Sequence, residues 1–226
     1  HTLTTGTGDG SLTLGVDGFG AYGSETGSNT TDATYDPIGP IAGSDTTWES
    51  ALTYRTGNSG GREFLASGSM PNTSTGTASG GLTNPTITGT STEALSTFSE
   101  AGLDFSLCQT VEPLLDNGGV TIGSLLTQTY TVTNPGTATV DLELLRFMEG
   151  DLFFVGGFNN DGGGFLETPA GDELVFQTDQ GGGGGTATTF VGVSGIGGTH
   201  PAANRYQVGL WPQFGQDIQS GNLLDD

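Results

Sequence analysis

The chain has 226 residues, with 25 acidic side chains, four arginines and no lysine, for a formal net charge of −21. A surface so poor in cations has nothing with which to neutralise phosphates, which excludes sequence-independent nucleic-acid binding. No apolar run approaches the roughly 18 residues of a membrane-spanning helix, and Cys108, the single cysteine, leaves no intrachain disulfide to form.

Charged residues are 13% of the chain, against roughly a quarter in an average soluble domain. Solubility therefore rests on hydroxyls and carboxylates, which suits an extracellular or cell-surface protein and makes cations the natural partners. His1 reads as a processed or trimmed end.

Thr2, Leu3, Thr4 and Thr5 open the chain with an uncharged, hydroxyl-rich segment. Leu12, Leu14 and Val16 then alternate with polar residues and predict a strand. Residues 18–45 are rich in breakers, Asp36-Pro37 and Gly39-Pro40 among them, and predict a loop with little regular structure. Trp48 to Arg55 reads as a strand with Trp48, Leu52 and Tyr54 on one face, paired with Arg62–Ala66 across a glycine-rich turn. Residues 67–85 are low-complexity Ser/Thr/Gly/Asn and predict an exposed loop or a flat edge. Asn29 and Asn72 lie in N-x-Ser/Thr sequons.

Thr90 to Gly102 is the one helix candidate, with Thr90 and Glu93 at capping-box spacing and Ala94, Leu95 and Phe98 sharing a face; a strand is the alternative. Leu103 to Cys108 predicts a strand with Cys108 opposite Leu103, Phe105 and Leu107, as a small buried apolar group. The plainest signal runs from Leu125 to Gly150. Leu126, Gln128, Tyr130 and Val132 alternate with threonines, Asn134-Pro135-Gly136 interrupts, and Val140, Leu142 and Leu144 resume the alternation. That pattern predicts a hairpin with Tyr130, Val132, Val140, Leu142 and Leu144 buried on one sheet face. Further strands are expected at Asp151–Val155, around Leu174 and Phe176, at Phe190–Val193 and at Tyr206–Leu210. The five glycines 181–185 predict a mobile loop. No period of 20–50 residues repeats. The expectation is an all-β, single antiparallel β-sandwich with long Gly/Ser/Thr-rich loops over residues 1–219, and a tail over 220–226.

Several clusters carry chemical expectations. Asp151, Asn159 and Asp161 offer the hard oxygens that calcium takes, although the twelve-residue calcium-loop pattern is absent. No cofactor is expected beyond at most weakly bound calcium at these residues. His1 with its free amino group, His200 and Tyr206 resemble the copper site of lytic polysaccharide monooxygenases, and nothing else in the chain matches that family. No G-x-S-x-G elbow is present, two histidines make a Ser-His-Asp triad improbable, and no pair of acids stands out.

The run TQTYTVTNPGTATVDLELLRFMEGDLFF, followed by NNDGGG, resembles a domain of large secreted bacterial proteins. In those proteins it often precedes calcium-binding glycine-aspartate repeats, and Gly221 to Asp226 is similar to the entry into such repeats. The resemblance implies an extracellular β domain and brings no catalytic residues with it. Together these readings predict a non-enzymatic extracellular structural protein, a self-assembling subunit of a surface fibre or layer. Thr2, Leu3, Thr4 and Thr5 would donate a strand to the next copy, since weakly charged edges pair readily. The alternative is a carbohydrate- or calcium-binding adhesive module with Trp48, Tyr54 and Trp211 as stacking platforms.

Overall fold

Short, hydroxyl-rich strands dominate the computed structural model, which describes residues 1–23, 32–67, 69–70, 79–157, 160–167, 173–179, 189–195, 206–209 and 213–222. In chain order the strands are β1 (Thr2–Thr4), β2 (Leu12–Gly15), β3 (Ala33–Tyr35), β4 (Ser44–Asp45), β5 (Glu49–Thr56), β6 (Glu63–Leu65), β7 (Ser69–Met70) and β8 (Ser79–Gly80). They continue as β9 (Thr88–Gly89), β10 (Glu93–Glu100), β11 (Leu103–Leu115), β12 (Thr121–Thr133), β13 (Leu142–Glu149), β14 (Gly162–Glu167), β15 (Glu173–Asp179) and β16 (Thr189–Val193). One helix, α1 (Gln213–Ser220), follows. The strand ladders are antiparallel, in the orders β1-β2-β3-β4, β12-β11-β10-β9, β13-β5-β6, β14-β15-β16 and β7-β8.

The β9–β12 sheet forms one layer of an all-β sandwich. Its period of two separates buried Leu103, Phe105, Leu107, Gln109 and Val111 on β11 from the more exposed Asp104, Ser106, Cys108 and Thr110. One end of this inner face packs with Leu3, Leu14 and Ala33 of the β1–β4 sheet. The other end packs with Leu52 and Tyr54 of β5 and Leu65 of β6, joined by Tyr130, Val132 and Leu142. β5 is central and buried on both faces from Glu49 to Arg55. Behind it Ala51, Phe64 and Phe147 form a further cluster with Met70, closed by Ile218 and Phe214 of α1.

Gly18 to Ala21, expected as loop, is buried between the layers together with Asp17. The Asp17 carboxylate accepts hydrogen bonds from the N–H groups of Phe19, Ala21 and Ser67. The opposing sheet supplies donors to the loop's carbonyls. Ser96 reaches Gly18 at 2.6 Å, Gln109 reaches Asp17 at 3.1 Å, Gln128 reaches Gly20 at 2.8 Å and Tyr130 reaches Phe19 at 2.7 Å. A buried backbone segment is tolerated when its polar groups are paired in this way.

Three sequence expectations are corrected. Asn134-Pro135-Gly136 does not close a hairpin: β12 pairs with β11, and β13 pairs with β5 in another sheet. Tyr130, Val132 and Leu142 still meet in one cluster, because the two strands face each other across the sandwich. Val140 and Leu144 are 37% and 40% exposed and lie outside it. Within Thr90–Gly102 the strand alternative holds over a helix: Glu93–Glu100 is β10, whose neighbours β9 and β11 absorb its backbone hydrogen bonds. It turns into β11 through Ala101-Gly102, both at positive φ (51° and 77°), the geometry of a two-residue type I′ hairpin. Asp151–Val155 is not a strand, although Leu152 within it is fully buried.

The C-terminal end also departs from expectation. Ile218 of α1 is fully buried, Arg62 donates to the carbonyls of Ile218 and Asn222, and Gly221 (φ 74°) caps the helix, so residues 220–222 are held against the domain. Residues 223–226 and glycines 181–185 lie outside the described residues. Tyr206 to Gly209 carry no regular structure, and Tyr206 stacks on Phe165 of β14 with ring centroids 3.6 Å apart.

Candidate functional site

Two features stand out once the sheets are in place. The first is β12. It is the outermost strand of its sheet, thirteen residues long, and TIGSLLTQTYTVT contains no charge and no proline. Among the described residues, its backbone hydrogen-bonds only to β11. Its inner side chains are anchored through Gln128 and Tyr130. Its outward side chains, Thr127, Thr129, Thr131 and Thr133, continue rows begun on β10 and β11, such as Thr97–Ser106–Thr131. Natural sheets blunt such edges with lysine, proline, charge or a bulge. Here the one register shift lies at Leu114/Leu115, near the far end.

The N-terminal strand is differently placed. β1 lies in its own sheet, with Thr2, Leu3 and Thr4 opposite Gly15, Leu14 and Thr13. Leu3 is fully buried, Thr4 N–H donates to the Ser91 carbonyl, and Thr5 Oγ1 meets Ser124 Oγ at 2.8 Å. The segment expected to serve a neighbouring copy is therefore part of this domain's own core, because burying Leu3 at home satisfies both its side chain and its backbone.

The second feature is acidic. Glu149 closes β13 directly opposite Glu49 of β5. Burial, with help from the charge on Asp151, pushes the Glu149 carboxyl up to about 8. Burial and the charge on Asp161 raise Asp151 to about 6. Asp161 is also raised, by burial first and by Asp179, although Leu152 N–H and the Gln177 amide (2.7 Å) donate to its Oδ2. Asp179, at the end of β15, accepts from Val155 N–H and from Asn160 Nδ2. Several oxygens here are buried yet lack a hydrogen-bond partner: Glu149 Oε2, Asn160 Oδ1, Asp161 Oδ1 and Thr189 Oγ1. Among the described residues, no group of three His, Cys, Asp or Glu side chains is placed to hold a metal ion. The arrangement thus offers Asp151 and Asp161 beside neutral oxygens, and Asn159 lies outside the described residues. Asp151 and Asp161 were legible as a pair in sequence; Asp179 and Thr189 reach the site only through strand pairing.

The remaining expected sites are not assembled. Tyr54 is 8% exposed, sits in the core and donates to Glu100 Oε1 at 2.9 Å, so it presents no face to a sugar. Trp48 is half-buried and Trp211 lies outside the described residues. The terminal amino group of His1 donates to the Val16 carbonyl, and its ring Nε2 lies 2.8 Å from the Thr90 carbonyl. The amino nitrogen that copper would need is thereby engaged with a backbone oxygen, Tyr206 is stacked on Phe165, and His200 lies outside the described residues. Cys108 is half-buried, on the outer face of the sheet rather than in the core, because β11 turns its even-numbered residues away from the sandwich interior.

Among the described residues no helix is long and apolar enough to cross a membrane. No family model, curated protein or solved structure matches the chain.

Proposed function

We propose that this chain is a non-enzymatic structural protein of the extracellular space or cell surface, whose copies associate through the edge of β12. The carrying observation is that this long outer strand is uncharged in a molecule of net charge −21. Two copies approaching along β12 bring together threonine hydroxyls and backbone N–H and C=O groups rather than carboxylates. Antiparallel pairing of β12 with β12 of a second copy is isologous and yields a closed pair; a fibre or layer then needs a second contact. Seating of β1 in its own sheet moves the assembly role away from Thr2 to Thr5 and onto this edge. Repulsion between acidic copies opposes association, so it strengthens as salt shortens the screening length.

Sedimentation of the full chain at low and at about 0.5 M salt tests the reading. Dimers or larger species should grow with salt and vanish in the double variant Thr129→Lys/Thr131→Lys, which places like charges on the pairing strand. A wild-type chain that stays monomeric at high concentration and high salt refutes it, as does a double variant that associates like the wild type.

A further inference from the structure

The acidic feature supports an inference independent of the β12 edge. We propose that the buried acidic cluster beside β15 and β16 binds a calcium ion, held by Asp151, Asp161 and Asn160 with Thr189 contributing from β16.

The first argument is the kind of atom left over. Buried polar atoms in folded proteins almost always find a partner. Asn160 Oδ1, Asp161 Oδ1 and Thr189 Oγ1 do not, and all are oxygens. Thr189 is the most informative. It is 8% exposed, and it stands directly opposite Asp179 in the β15–β16 ladder. Directly paired residues of an antiparallel ladder send their side chains out on the same face. That face is the one from which Asp179 holds Val155 and Asn160, and from which Gln177 reaches Asp161. The Thr189 side chain therefore leaves its strand on the face turned to the acidic cluster.

The second argument is charge. Asp151 and Asp161 lie in one acidic cluster with Asp179, and among the described residues no arginine pairs with Asp151 or Asp161: Arg55 and Arg62 are committed to Glu143, and Arg146 to Gly20, Ser50 and the ring of Tyr22. A bridging water satisfies acceptors but leaves their charge in place; a cation does both.

The ligand set selects the ion. Oxygens without histidine or cysteine fit a hard cation rather than zinc or copper. A mixed set of carboxylate, amide and hydroxyl oxygens, without fixed octahedral geometry, fits calcium better than magnesium. Two carboxylates place the affinity with weak extracellular calcium modules, about 10⁻⁴–10⁻³ M.

The test uses the full chain with calcium chloride as probe, read by thermal melting and by isothermal titration. At about tenfold excess over the dissociation constant the melting temperature should rise by about 3–6 °C, with a smaller rise in magnesium and none in sodium chloride of equal ionic strength. Asp161→Asn should weaken binding at least tenfold, and Thr189→Val, which keeps the shape and deletes the hydroxyl, should weaken it measurably. No calorimetric binding and no shift in the wild type at 10 mM calcium overturns the proposal, leaving water as the occupant. An equal shift in sodium chloride, showing screening alone, also overturns it, as does unchanged binding in both variants. The wild-type titration decides the matter even where a variant fails to fold.

Discussion

Removing the guanidinium of Arg62 should loosen the C-terminal helix. Arg62 is almost fully buried just before β6; its Nε donates to Glu143 Oε1 at 2.5 Å and its Nη1 to the Asn222 carbonyl at 3.1 Å, with a longer contact of 3.5 Å to Ile218. Breaking a buried ion pair by deleting one partner typically costs about 3–5 kcal/mol. Two features lower the figure here. The Glu143 side chain is 35% exposed, so water reaches it, and it keeps Arg55 at 2.7 Å. The Ile218 contact is too long to count for much. What is lost is one charge-assisted bond and the donor to Asn222 beyond the helix end, about 2 kcal/mol in all. In a chain of this size each kcal/mol moves the melting temperature by about 2–4 °C, so Arg62→Met, which retains the apolar stem, should melt about 4–8 °C lower. Amide exchange of residues 213–222 should accelerate more than that of β11. A variant melting within about 1 °C of the wild type, with unchanged exchange in the helix, would refute the idea that this side chain holds α1 in place.

The same cluster gives a pH dependence. Burial works to raise Glu143, but the guanidiniums of Arg62 and Arg55 outweigh it and hold the carboxyl below its ordinary 4.5. A carboxyl with a lowered folded value contributes stability that is complete above its ordinary value and is lost as pH falls through the folded one. Exchange of the α1 amides should therefore speed up below about pH 4, and this extra acid sensitivity should be missing in Arg62→Met. In the core, Leu107→Ala should cost about 2–5 kcal/mol in urea unfolding, since Leu107 is fully buried, whereas Leu144→Ala should cost less than about 1 kcal/mol. Equal losses at the two positions would show that the register of β13 is wrong.

Alternation carried most of what the chain disclosed in advance. Leu14 and Val16, the odd-numbered residues 103–111 of β11 and the even-numbered residues 124–132 of β12 all face the interior as their period of two requires. Alternation fixes a strand's faces but not its neighbour, and for this reason Asn134-Pro135-Gly136 reads equally well as a hairpin turn or as a crossing between sheets. The buried loop around Asp17 was hidden because its glycines and aspartate are turn formers anywhere; only the partners Gln109, Gln128 and Ser96, distant in sequence, make it interior. Helix α1 was missed because Gly215 and five polar residues mask the Phe214–Ile218 spacing. Pro212 before its first residue and Gly221 after its last were the available signals.

The loop from Asp17 to Ala21 also sets a timetable for synthesis. Its carbonyls receive donors from Ser96, Gln109, Gln128, Tyr130 and Arg146, and the last lies 126 residues beyond Gly20. At translation speeds of about 5–20 residues per second, the opening segment waits roughly 6–25 s before its final partner exists. Meanwhile β1 and β2 can pair, but their buried leucines have no opposing layer, and the loop's polar groups remain with water. Closure of the sandwich is thus a late, long-range event, of the kind that slows folding in proteins rich in distant contacts. A nascent chain truncated before residue 146 should remain protease-sensitive throughout its first 23 residues, however well its local hairpins form.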